Sequence, residues 1–179
     1  MIYAAVFLAS FSSLAFEVLL ARIFAVSQWH HLGFMVISLA LFGFAASGVF
    51  LSFLDAWKKG WEARLTGRRP LALSLCVYSI SALMAFTVLN RLPLDYFRLP
   101  LAPVQALYLL MAYLVLSIPF IVAGGVISLA YAARVEHSGW VYFATMSGSA
   151  VGAVFPGIFL PLFGEGKLLA VVCLVPLVV

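Results

Sequence analysis

Residues 104–133 read VQALYLLMAYLVLSIPFIVAGGVISLAYAA, thirty positions without a single charge. As an α-helix this stretch would rise about 45 Å, more than the ~30 Å hydrocarbon core of a bilayer. A helix that is apolar on every side cannot lie on the surface of a water-soluble domain. It needs either lipid or a large protein interior around it. The rest of the chain decides between the two. Of its 179 residues, 66% are hydrophobic and only 9% charged, where a soluble domain carries about 25% charged. Mean hydropathy is +1.19. The expected fold is all-α, a polytopic transmembrane helix bundle. The excess length of 104–133 further predicts tilt, a kink or extension past the membrane.

Four more complete spans are expected outward from this one, at residues 2–26, 32–54, 71–90 and 140–163. The first is not a signal peptide. It has no basic leader, it is too long, and it carries Glu17 and Arg22. A sixth span begins at Leu168 and covers the 12 residues to Val179, about 18 Å of helix. It reads as the start of a spanning segment cut short at Val179, inside a single transmembrane domain over 1–179.

Charge gives the bundle a direction. The net charge is +4, and five of the ten basic residues (Lys58, Lys59, Arg64, Arg68 and Arg69) fall in residues 55–70. The positive-inside rule places that loop, the N-terminus and Arg134 in the cytoplasm. Arg91, Arg98 and Lys167 then lie outside, with Arg22 near the outer end of the first span. Trp29, Trp57, Trp61 and Trp140 sit at expected helix ends, as interfacial anchors do. The expected location is the cell's inner (cytoplasmic) membrane, multi-pass. The lipid bilayer is the partner surface, and nucleic acid is not a partner.

Few residues invite chemistry. An ionisable group in a spanning helix costs about 2.5–3.5 kcal/mol at the centre on insertion scales. Glu17 sits two-thirds of the way along its span, whereas Arg22 is near enough to the interface to snorkel. Their spacing of five turns them about 140° apart on the helix, so the partner of Glu17 is expected on another helix. Ala144, Gly148 and Gly152 recur every fourth residue, and Gly43, Ser47 and Gly48 form a second small cluster. Small residues so placed let helix backbones approach closely. Pro119 with Gly124 and Gly125, and also Pro156, are expected to kink their helices. Cys76 and Cys173 lie in apolar runs and read as small buried hydrophobes. His30, His31 and His137 have no ligand-type partners. No nucleotide loop, carboxylate pair or nucleophile set is present, so no catalytic residue, cofactor or metal site is expected within 1–179.

The run Phe16-Glu17-Val18-Leu19-Leu20-Ala21-Arg22 resembles the aromatic-Glu-Val-Leu-x-x-Arg signature that opens the membrane region of spermidine synthase-like proteins. The second helix, with Leu41, Gly43 and Gly48, is similar to that family's Gly-rich second helix. Between Gly139 and Gly164, residues Tyr142, Ala144, Gly148, Gly152, Gly157, Leu160, Pro161 and Gly164 resemble its Tyr-x-Ala-(Asn/Asp)-x-x-Gly-x-x-x-Gly run ending in Leu-x-Pro-x-x-Gly. Thr145 stands where the family usually has Asn or Asp. The resemblance implies a multi-helix membrane domain, distantly similar to half of a major-facilitator transporter. It also implies a cytoplasmic aminopropyltransferase-like domain after the last helix, none of whose residues map onto 1–179.

Three functional readings stay open on these residues. The chain is the anchoring membrane domain of such a protein, with a polyamine-like solute as its implied ligand. Or it is half of a secondary transporter, with Glu17 as an intramembrane cation or proton site. Or it is a structural subunit of a larger membrane complex or homo-oligomer, with its small-residue faces as packing surfaces.

Overall fold

The computed structural model describes residues 2–27, 31–57, 67–92 and 103–178. Among these there is no strand. The helices are α1 (Ile2–Ser27), α2 (His31–Trp57), α3 (Arg68–Arg91), α4 (Pro103–Ala133), α5 (Ser138–Phe163) and α6 (Glu165–Leu174). Short 3₁₀ turns at Val135–His137 and Val175–Val178 follow α4 and α6. The first five helices are long and apolar enough to cross a membrane. The fold is an all-α bundle.

Helix ends overrun the apolar spans by up to three residues. α2 continues through Asp55, Ala56 and Trp57, and α3 already begins at Arg68. An apolar edge marks where lipid-compatible side chains stop. The backbone ladder continues as long as its carbonyls find donors. Pro70 sits in the first turn of α3 and Pro103 opens α4. Both positions suit proline, because the missing N–H would have had no helical partner there. The Leu71 N–H closes the first turn of α3 on the Gly67 carbonyl at 3.2 Å. Residues 58–66 and 93–102, the greater part of the basic loop and of the proline-rich loop, lie outside the described residues.

α4 runs as one helix through Pro119, Gly124 and Gly125, and α5 runs as one through Pro156 and Pro161. Packing from neighbours holds these segments helical where local propensity alone would weaken them. The break between α5 and α6 falls instead at Gly164, with φ 73° and ψ 163°. That region is open almost only to glycine. Gly164 serves both helices: its N–H bonds Leu160 O at 3.0 Å, and its carbonyl receives the Leu168 N–H at 3.1 Å.

α1 is the hub. It touches every other α-helix of the bundle. Of its apolar span 61% is buried, against 22–33% for the other four. Its Phe16, Leu19, Leu20 and Phe24 enter the main core with Leu39 of α2, Leu116 and Phe120 of α4 and Leu168 of α6. The outer helices turn large apolar side chains outward, among them Phe50 of α2, Ile80 of α3, Leu114 of α4 and Ile158 of α5.

Candidate functional site on the first helix

Two helix pairs approach through glycine. A Cβ built on Gly148 or Gly152 of α5 would collide with the carbonyl oxygens of Phe7 and Phe11 of α1. The two contacts ascend together, so α1 and α5 run parallel, and Phe11 meets Phe155 edge-on at 5.2 Å. α2 and α4 also run parallel. Gly43 lies against the Phe120 Cβ and backbone, and one turn on Gly124 lies against Ser47 and Phe44. Ala144 is buried in a small cluster with Val6, Ala130 and Val141. Gly48 and Gly125 face open space, with nothing within 4 Å of an added Cβ. Gly48 is five residues from Gly43, which turns it about 140° away from the α4 contact.

The interior of α1 is polar as well as buried. Ser10, Ser12 and Ser13 are each at most 3% exposed. Ser12 lies 2.6 Å from the Val172 carbonyl and 3.2 Å from the Tyr78 hydroxyl. It has one proton to give, and the carbonyl can only accept. Ser12 therefore donates to Val172 O, and the Tyr78 hydroxyl donates to Ser12 Oγ. The Val172 carbonyl is available because its helical donor would be the amide four residues on, at Pro176, which has no N–H. A proline in the 3₁₀ turn after α6 thus creates the acceptor that a serine of α1 satisfies.

Ser10 and Ser13 behave differently. Hydroxyls elsewhere in the bundle bond back to their own helix: Ser38 to Met35 O, Ser47 to Phe44 O, Ser117 to Leu114 O and Thr145 to Val141 O, at 2.7–2.9 Å. The buried hydroxyls of Ser10 and Ser13, and of Ser79 on α3, have no hydrogen-bond partner among the described residues. Ser10, Ser13 and Glu17 occupy positions i, i+3 and i+7, within an arc of about 60°. Glu17 is half-buried and Arg22 is exposed. Neither has an ion-pair partner among the described residues.

Sequence reasoning singled out Glu17 but not the two serines below it, although their spacing was there to be read. The Ser12–Tyr78–Val172 link was not legible, because one of its members is a backbone carbonyl. Cys173 is buried in the core, whereas Cys76 is exposed on the outer side of α3, because its position in the helix faces away from the bundle. Trp140 is exposed at the start of α5, and Tyr3, Phe7, Phe143 and Ser147 join it around an open groove between α1 and α5. His137 and Glu136 border a second groove at the same end. His30, Trp29 and Trp61 lie outside the described residues. No family model, curated protein or solved structure matches the chain.

Proposed function

We propose that this chain is a multi-pass membrane domain whose work is to anchor and position a cytoplasmic partner domain, in the manner of the membrane region of spermidine synthase-like proteins. The observation that carries the membrane half of this reading is the radial order of the bundle. Among the described residues three of the six buried serines lie on the central helix, and the large apolar side chains of α2 through α5 face out. Soluble monomers rarely expose apolar patches beyond a few hundred Å², whereas here each of α2 to α5 exposes several large apolar side chains. In lipid these cost nothing to leave uncovered, and close backbone packing replaces burial from water as the force between helices.

The family half rests on where the resemblance residues lie. Phe16 of the opening signature is buried in the main core. Gly148 and Gly152 of the second run make the α1–α5 approach, and Gly164 makes the turn that only glycine adopts readily. Fold-bearing positions are the ones a shared membrane architecture would keep.

Two experiments test the proposal. The first attaches an impermeant thiol reagent to a cysteine placed at Lys59, in sealed vesicles of known sidedness. Labelling from the cytoplasmic face is expected, and labelling only from the opposite face removes the orientation. The second reads the gene beyond the codon for Val179. An open frame encoding an aminopropyltransferase-like domain is expected, and a stop codon with no such domain sinks the anchoring role.

A further inference from the structure

Glu17 is the one acid within the apolar spans of α1 to α5, and no ion pair holds it among the described residues. Between their ends α2, α3, α4 and α5 carry no Lys or Arg, and on α6, which also packs against α1, Glu165 and Lys167 in the first turn are both exposed. Arg22, on the same helix, is turned about 140° away and exposed. A carboxylate half-buried in such a place stays charged only with a cation beside it.

The same face of α1 supplies further oxygen atoms. Ser13 is one turn below Glu17 and Ser10 nearly another. Both hydroxyls are at least nine-tenths buried and unpartnered, although bonding back to their own helix was open to them, as it was to other hydroxyls of the bundle. A buried hydroxyl without a partner is costly, and two on one face beside a lone carboxylate point to a ligand that they serve. Access is provided too. α1 packs against both α2 and α5, yet α2 and α5 barely touch each other. Gly33 brings α2 alongside α1 at Ala21, one turn above Glu17, and Glu17 itself is not fully enclosed.

We propose that the Ser10–Ser13–Glu17 face of α1 is a binding site for a single monovalent cation. The Glu17 carboxylate supplies the charge, and the Ser13 hydroxyl accepts a contact from the cation or its hydrating water, with Ser10 continuing the polar path. The chemistry is that of one positive charge bound by oxygen, and its source is either a proton or Na⁺.

The test uses the full chain in lipid nanodiscs and infrared difference spectra of the carboxyl region, with choline chloride exchanged for sodium chloride. The expected result is a carboxyl signal that responds to Na⁺ or to pH and vanishes in Glu17→Gln. Response to Na⁺ at fixed pH identifies sodium, and response to pH alone identifies the proton. Ser13→Ala is expected to shift the midpoint by about tenfold. Ser79→Ala removes an equally buried and unpartnered hydroxyl from another helix, and is expected to leave the midpoint in place. The proposal is overturned if the signal is the same in Glu17→Gln, or if Ser10→Ala and Ser13→Ala together leave the midpoint unmoved. It is overturned as well if the signal appears only in Arg22→Gln, which would make Arg22 the true counter-ion. Glu17→Asp keeps the charge and guards against a misfolded Gln variant: its signal persists with a weakened midpoint.

Discussion

The α1–α5 and α2–α4 pairs are both parallel, and both close on glycine, but they close differently. On α1–α5 the glycines are all on one side. Gly148 and Gly152 of α5 meet the backbone oxygens of Phe7 and Phe11 on successive turns. On α2–α4 the glycines are shared. Gly43 of α2 meets the Cβ and main chain of Phe120 of α4, and Gly124 of α4 meets the Ser47 hydroxyl most closely, with the ring and Cα of Phe44 behind it. A backbone oxygen cannot be substituted or turned aside without bending its helix. A serine hydroxyl can be removed. The first contact is therefore rigid throughout, and the second is repairable only at Gly124.

The largest effect is expected where the obstacle is backbone. Gly148→Ala and Gly152→Ala should each destabilise the bundle by about 2–3 kcal/mol, seen as a fall in Tm in mild detergent. A variant of either that keeps the parent Tm would show that α1 and α5 can part without loss. Gly43→Ala should approach the same loss, since Phe120 meets it with Cβ and main chain. Gly124→Ala should lose about 1 kcal/mol, and adding Ser47→Ala should recover most of it. Failure of that rescue would make the two contacts alike.

The next effect probes the other side of α1. Ser12→Ala should lose about 1–3 kcal/mol by leaving the Val172 carbonyl bare. In a Pro176→Ala background, where residue 176 regains its N–H, the loss should shrink. A double-mutant cycle without coupling would mean that Ser12 and Pro176 act independently. Smallest are Gly48→Ala and Gly125→Ala, which add a methyl to open space and remove a poor helix former. They should be neutral or gain up to about 1 kcal/mol, and a loss at either would place an unseen neighbour there.

What could be read in the sequence was whatever depends on one helix at a time. Apolar runs predicted the five long helices, with ends wrong by up to three residues because apolar side chains and backbone bonding stop at different places. The four-residue spacing of Gly148 and Gly152 marked a close approach. Its partner was hidden, since the backbone of Phe7 and Phe11 is chemically like that of every residue. The shared glycines of α2 and α4 were hidden for another reason: the pairing of Gly43 with Phe120 and of Ser47 with Gly124 exists only once two distant segments lie side by side. Spacing arithmetic separates Glu17 from Arg22 and Gly43 from Gly48 by the same five residues. The structure has one member of each pair turned inward and the other outward.

The Ser12 bond to Val172 spans 160 positions, and its consequence belongs to the order of synthesis. α1 leaves the ribosome well before the glycines of α5 and the carbonyl of α6 that complete its surroundings. At about 5–20 residues per second, the central helix waits roughly 7–30 seconds with its serines and glycine-contact face unclaimed. Nascent chains stalled before α5 should therefore crosslink through α1 to the insertion machinery, and chains stalled after α6 should not.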